Sequence, residues 1–358
     1  MKRVIIFLLL FSIWLPVNAL TVSSEAVILM DQDSSRVIYA KNENKQMLIA
    51  SITKIMTAVL AIESNRLDEK VIVDENILKA YGSNIYIQVG EEISLKDLVY
   101  GLMLRSGNDA ALMIANYISG SEKDFVHKMN EKAKKIGMKN TVFVNPHGLD
   151  ENGGNLSTAY DMALLTRYAQ ELSDYKKITR TKVKTTTTNY KSYVWQNKNK
   201  LLDIYKWSTG GKTGFTEKAG RTLVSTATKG NMNLIVVTLN DHDDWNTHQT
   251  LFNYGFTNFH NYLVLNQKTF DLNSDYYKGK IYINNNYHFP LRTSETGDIY
   301  LKAKIVKQKH YQDKNNIGVV EVYFKDKLVH TEDLFIEVRK QKTTSKSLWQ
   351  RILDWFNL

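Results

Sequence analysis

Strand-forming sequence stands at both ends of the first 256 residues, and helix-forming sequence fills the middle. Residues 26–30 are apolar, 31–35 are turn-forming, and 36–40 return as a second strand. Far along the chain, residues 221–228 and 233–240 form another strand pair, joined by Lys229, Gly230, Asn231 and Met232. A further strand is expected over residues 207–214. Between these lie helical patterns over residues 51–64, 94–104, 109–118, 121–136 and 158–170. The last opens with Thr158 at the N-cap and Asp161 three residues on, in the places of a capping box. One more helix is expected over 245–254, with His248 inside it. Such an order lets the terminal strands form one antiparallel sheet with helices on its faces, so the expected fold class is α+β.

After about Phe256 the helical period disappears. Residues 280–283, 299–306, 319–324 and 334–338 are short strands with polar turns, a small β-rich domain. The two chain ends differ again. Lys2 and Arg3 precede an apolar run to Leu15, and Val17 and Ala19 fit a small-residue cleavage site. The run is short of the ~20 residues a spanning helix needs, which favours a cleaved export signal over an anchor. At the other end Leu348, Trp349, Ile352, Leu353, Trp355 and Phe356 share one side of a helix, after a basic stretch with Lys340, Lys342 and Lys346. That is the pattern of a helix lying in a membrane interface. The expected organisation is therefore signal 1–19, main domain 20–256, β-rich domain 257–341 and anchoring helix 342–358.

The formal net charge of +10 implies an anionic partner, which for an exported protein means wall polymer or membrane surface. Export and the lack of any zinc-finger or RNP-like string argue against nucleic acid. The chain has no cysteine, which excludes disulfides, thiolate zinc sites, iron–sulfur clusters and a cysteine nucleophile. Covalent chemistry must then use Ser, Thr, Lys or a carboxylate.

Three short strings carry chemistry. Ser51 and Lys54 lie three apart at a helix start, so the amine can reach the hydroxyl, and the helix N-terminus favours an alkoxide. Apolar Ile52, Ile55 and Met56 make burial of Lys54 plausible, and burial would leave the amine neutral. Taken alone, this is more often an N-cap serine with a surface lysine. Ser106 and Asn108 flank a glycine between two helices, where a hydroxyl and an amide could relay a proton and hold a substrate amide; a capped turn is the plainer reading. Lys212, Thr213 and Gly214 offer a cation, a hydroxyl and a strand edge open to close approach. Together, in this order and these contexts, the strings are far more specific than any one of them.

On these motifs the sequence resembles the serine-type D-alanyl-D-alanine carboxypeptidases, the low-molecular-mass penicillin-binding proteins. Pro146, His147, Gly148 and Leu149 before a helix match further, as do Phe215 and Thr216 after Gly214 and the run from Ala219 to Val224. The resemblance implies a β-lactamase/transpeptidase-like domain in which Ser51 is acylated with Lys54 as base. Ser106 would relay protons, Asn108 would hold the substrate amide, and Lys212 and Thr213 would bind the terminal carboxylate. Backbone N–H groups of Ser51 and Phe215 would form the oxyanion hole. Peptidoglycan stem peptides would be the substrate and β-lactams slow-leaving inhibitors, at the outer face of a bacterial membrane. No metal or cofactor is implied.

The sequence leaves some points open. A β-lactamase, or a non-catalytic wall-binding or β-lactam-sensing module, would carry the same strings. Some relatives place an arginine after the strand that follows the Lys-Thr-Gly string; here residues 239–245 have none, and Arg221 or Lys212 alone must serve. Asp241, His242, Asp243 and Asp244 read as a solvated acidic loop, Glu151 and Asn155 as polar groups of a glycine turn, and His147 as a structural wall. Deleting residues 347–358 is expected to release the protein from anionic lipid vesicles in a flotation assay, and undiminished binding would refute the anchor.

Overall fold

The computed structural model describes residues 20–338; the expected signal and anchoring helix lie outside them. Strands β1 (Ala26–Asp31), β2 (Val37–Lys41), β3 (Ser208–Thr216), β4 (Gly220–Lys229) and β5 (Met232–Leu239) form one antiparallel sheet in the order β2-β1-β5-β4-β3. The two chain-distant hairpins meet where β1 pairs with β5, with Ile28 opposite Val237. β1 is buried along its whole length because both faces are covered. Ala26, Ile28 and Met30 point into one core, shared with the central helices, and Val27 and Leu29 into a second one. That alternation is the two-residue period of a strand acting on two layers at once.

The first core is filled by α1 (Lys54–Glu63), α2 (Leu95–Tyr100), α3 (Asn108–Ser119), α4 (Glu122–Ile136), α5 (Ala159–Ala169) and α6 (Ser173–Arg180). The second lies under α7 (Asp244–Asn258), which runs past the expected end at residue 254. The β4–β5 hairpin turns through Gly230 and Asn231, with Gly230 at φ +62, as so tight a loop requires.

Several expectations need correction. The single helix over 94–104 is two pieces: α2 gives way to a π-helical turn, Gly101–Arg105, and Ser106 follows in the left-handed region. Gly101 packs against Ile85 so closely that a Cβ there would clash. The capping box at α5 is half formed. Thr158 Oγ1 accepts from Asp161 N at 3.0 Å, but the Asp161 carboxylate turns to Asn140 N and Thr141 Oγ1 instead. A hairpin of Val183–Thr187 and Ser192–Gln196 was unforeseen, as was α6. Its threonine-rich sequence has no apolar alternation on the first arm to mark it.

The β-rich region contains the four expected strands, Lys280–Tyr282, Ile299–Ile305, Asn316–Phe324 and Lys327–Glu337, with bounds shifted by a few residues. It also has a pair not foreseen, His260–Leu265 with Tyr287–Leu291. Arg36, at the start of the second strand of the first hairpin, joins this region to the main sheet. Its guanidinium lies within 5.3 Å of the Phe259, Phe289 and Phe324 ring centres and pairs with Glu295 at 2.8 Å. Among the described residues no helix is long and apolar enough to cross a membrane.

His248 of α7 is fully buried, its ring held between Ser225 of β4 and Thr238 of β5. Burial pushes its pKa down to about 3. The ring must therefore be neutral in the folded protein. Its contribution is complete above the ordinary value of about 6.5 and declines as pH falls towards the folded value. Between pH 7 and pH 4 the stability lost through this ring is about 3 kcal/mol. Denaturant titrations of His248→Gln at both pH values should show a loss smaller by about that amount, and an unchanged loss would remove the ring from the explanation.

Candidate active site

Ser51 sits in a single 3-10 turn, Ala50–Thr53, that runs straight into α1. Ala50 has φ +48, an uncommon conformation for a residue with a Cβ, and it turns the next residue out towards the cleft. Gly148 makes room for that turn, since a Cβ there would stand 2.0 Å from the Ala50 carbonyl oxygen. Asn155 braces the same junction, donating to Thr53 Oγ1 at 2.9 Å and to the Asn145 carbonyl at 3.0 Å. Thr57 donates to the Pro146 carbonyl at 2.6 Å. The stretch from Pro146 to Gly148 is thus fastened to the first helix at several points.

Lys54 is 0% exposed. Its Nζ lies 3.0 Å from Ser51 Oγ, 2.7 Å from Asn108 Oδ1 and in hydrogen-bond contact with the His147 carbonyl. Burial first, and then the positive charges of Lys212 and Lys198, push its pKa well below that of an ordinary lysine. Burying a cation costs several kcal/mol, and no carboxylate accepts a hydrogen bond from this amine, so the charged form is disfavoured. A neutral amine has two N–H groups and one lone pair. With the N–H groups on Asn108 and His147, the lone pair faces the Ser51 hydroxyl.

The second lysine is equally deep. Lys212 on β3 is 1% exposed, and its Nζ donates to Ser106 Oγ at 3.1 Å and to the Thr213 carbonyl at 2.6 Å. Burial, with Lys198 second, pushes its pKa down to about 7. Ser106 reaches it because the π turn and the left-handed residue lift the hydroxyl off the helix axis. Asn108 opens α3, and its Nδ2 donates to the Tyr81 carbonyl at 2.6 Å. One N–H and one lone pair of its amide remain for a ligand.

Gly214 brings the β3 edge against the start of the 3-10 turn: a Cβ at Gly214 would stand 2.9 Å from Ser51 N. Phe215 follows, 64% exposed at the mouth. Ser51, Ser106, Thr213, Gly214 and Phe215 line one cleft of about 390 Å³. Arg221 lines it too, paired with the buried Asp244 at 2.6 Å. All eight residues singled out in the sequence therefore converge, with Lys54, Asn108 and Lys212 beneath the lining. Sequence reasoning did not give Gly148 and Asn155 their bracing roles, and it passed over Lys198. The glycine was visible in a quoted string, but its purpose depends on the distant Ala50. His147 contributes its carbonyl, while its ring, pushed down to about 3 by burial and by Lys54, stays neutral. Among the described residues no cluster of three or more His, Asp or Glu side chains is placed to hold a metal.

Direct titration checks the electrostatics. In protein labelled with 15N at lysine, the Lys212 amine should titrate near pH 7, and Lys198→Gln should move the Lys212 and Lys54 midpoints upward. A Lys212 midpoint near the ordinary value of about 10.4 would contradict it.

The D-alanyl-D-alanine carboxypeptidase model of peptidase S11 matches residues 15–243 of this chain. The chain is 40% identical over 228 residues to the D-alanyl-D-alanine carboxypeptidase DacF of Bacillus subtilis, covering 60% of this chain and 56% of that protein. To DacC of Escherichia coli it is 35% identical over 263 residues, covering 68% and 64%. The chain thus spans less than two thirds of the length of these two relatives. Among solved structures it is similar to penicillin binding protein 5 of Haemophilus influenzae, with a TM-score of 0.74, 26% identity and coverage of 89% of this chain and 97% of that one. Similarity to penicillin binding protein 6B of Escherichia coli gives a TM-score of 0.70 at 28% identity, covering 88% and 96%.

Proposed function

This chain belongs to the D-alanyl-D-alanine carboxypeptidase family, peptidase S11, and from that premise we propose that it removes the terminal D-alanine from peptidoglycan stem peptides through an acyl-enzyme on Ser51. The observation that carries the reading is the buried Lys54 amine 3.0 Å from the Ser51 hydroxyl, its pKa pushed well below the ordinary lysine value by burial and by Lys212. It supplies a base at neutral pH without a histidine or a metal ligand set.

The substrate enters along the β3 edge with its free carboxylate towards Lys212 and Thr213. Arg221, facing the same cleft, is the second cation for that carboxylate. Asn108 takes the substrate amide with the valences that Lys54 and Tyr81 leave free. Ser51 Oγ attacks the carbonyl carbon of the penultimate D-alanine, and its proton passes to Lys54 Nζ. The carbonyl oxygen becomes an oxyanion between the N–H groups of Ser51 and Phe215, an arrangement worth about 10²–10³ in rate per donor. The C–N bond then breaks, and the departing amine takes its proton through Ser106, whose hydroxyl Lys212 holds. Water enters, loses a proton to Lys54 and releases the shortened peptide from Ser51. A β-lactam would follow the first half of the sequence and leave a long-lived ester.

The apolar N-terminal run and the C-terminal amphipathic sequence support a place at the outer face of the cytoplasmic membrane. There the wall is within reach, and basic residues near the C-terminus favour anionic lipid.

Benzylpenicillin should add one equivalent of mass to the protein, at Ser51. Ser51→Ala should abolish both the adduct and D-alanine release from a pentapeptide. Lys54→Met should slow acylation by about 10²–10⁴ with the fold intact. An adduct on any other residue would overturn the assignment.

A further inference from the structure

A second groove, of about 350 Å³, opens beside the catalytic cleft, and none of the chemistry above uses it. Its lining includes Asn84, Tyr86, Arg105, Lys191 and Trp195. Its lining adjoins that of the cleft at two places along the chain. Ser83 lines the cleft and Asn84 the groove; Arg105 lines the groove and Ser106 the cleft. Within the cleft wall, Lys198 donates to Ser83 Oγ at 3.3 Å.

The strap between the two spaces is held with unusual firmness for an exposed segment. Tyr86 is 71% exposed, yet its backbone has φ +61, a genuine outlier for a bulky residue. The buried Asp109 carboxylate holds it there, accepting from Ile85 N at 3.0 Å and Tyr86 N at 2.7 Å. Lys191 Nζ donates to the Tyr86 carbonyl at 2.8 Å. Asn108 N also donates to the Ser83 carbonyl at 2.7 Å, so the strap is laced to the helix start that carries the catalytic amide. Strain maintained by buried groups, with the strained side chain left in solvent, points to use by a ligand rather than to packing.

The charge of the groove says what kind of ligand. Arg105 spends one N–H on the Gln196 carbonyl at 3.1 Å and has four remaining. Among the described lining residues the ionisable ones are Arg105, Lys191 and the tyrosines, and no carboxylate is present. Lys198 and Lys200 continue the positive wall in the cleft itself.

We propose that this groove is a second substrate subsite, in which Arg105 and the Tyr86 platform receive a carboxylate-bearing segment of the peptide on the N-terminal side of the scissile bond. The inference rests on the proposed carboxypeptidase reading and adds to it a preference for acidic stem peptides. Arg105 is a specificity-determining residue here and takes no part in bond making.

Two substrates separate the subsite from the cleft. One is a blocked tripeptide ending in D-Ala–D-Ala with no other carboxylate. The other is a pentapeptide with the same end and a glutamyl residue bearing a free α-carboxylate. For Arg105→Gln, kcat/KM on the pentapeptide should fall at least tenfold more than on the tripeptide, mainly through KM. Raising the salt from 50 to 500 mM should erase most of the pentapeptide advantage in the unaltered protein and little in the variant. Tyr86→Asn, which tolerates the left-handed backbone, should lower the same ratio by a smaller factor. Equal losses on both substrates, or none, would overturn the proposal. In the inert Ser51→Ala protein, calorimetric titration with the pentapeptide reads the same subsite without turnover, and Arg105→Gln should weaken binding tenfold there. Failure of the carboxypeptidase reading would look different: no tripeptide hydrolysis and no penicillin adduct, whatever the residue at 105.

Discussion

A lysine amine buried without a counter-ion is the constraint on which the rest of the site depends. Burial and the nearby charges of Lys212 and Lys198 disfavour the cationic form of Lys54, against the weaker opposing pull of Asp109. Its two carbonyl acceptors come from separate parts of the chain, the Asn108 side chain and the His147 backbone. Each must be held for the lone pair to face Ser51. The positive φ of Ala50, the absence of a side chain at Gly148 and the Asn155 brace all follow from that requirement.

The second buried lysine makes the first more effective. Lys212 and Lys54 are both buried, and the charge of Lys212 disfavours a proton on Lys54. Lys198, exposed at the wall, lowers both. Their duties differ. In the proposed reaction Lys54 needs to lose its charge, while Lys212 needs to keep enough of it to hold Ser106 and meet a carboxylate. Placing the pKa of Lys212 at about 7 leaves it partly charged near neutrality, and an anionic ligand would draw the proton back on. The scaffold suits this demand for rigidity. β1 sits between two apolar cores, and the helix that carries Ser51 and Lys54 packs into one of them.

Some of this was legible in the residues. The two chain-distant hairpins were readable from strand alternation and turn chemistry, and their order allowed them to join in one antiparallel sheet. The spacing of Ser51 and Lys54 put hydroxyl and amine on one helical face, and the apolar neighbours foretold burial. Other features were silent. The helix over 94–104 ends in a run without charged residues, Leu98 to Leu104, so nothing in its pattern marks the π turn that raises Ser106. Asp161 has the right spacing for a capping box, but its carboxylate is taken by Asn140 and Thr141, a competition visible only in space. The Val183–Gln196 hairpin has weak alternation on one arm and earns its place through Tyr193 and Trp195, which reach back into the first core.

Local patterns of residue type therefore determined which groups could do chemistry, because three strings in this order and these contexts are far more specific than any one of them. They also showed that the strands at the two ends of the main domain could share one sheet. Tertiary structure alone decided the protonation state of those groups, since desolvation depends on every atom packed around them. It alone joined Ala50 to Gly148 and Tyr86 to Asp109, because contacts between such separated residues leave no periodic trace. The cationic groove next to the cleft belongs to that second kind of fact: Arg105 and Tyr86 become neighbours only when the strap folds back over the start of α3.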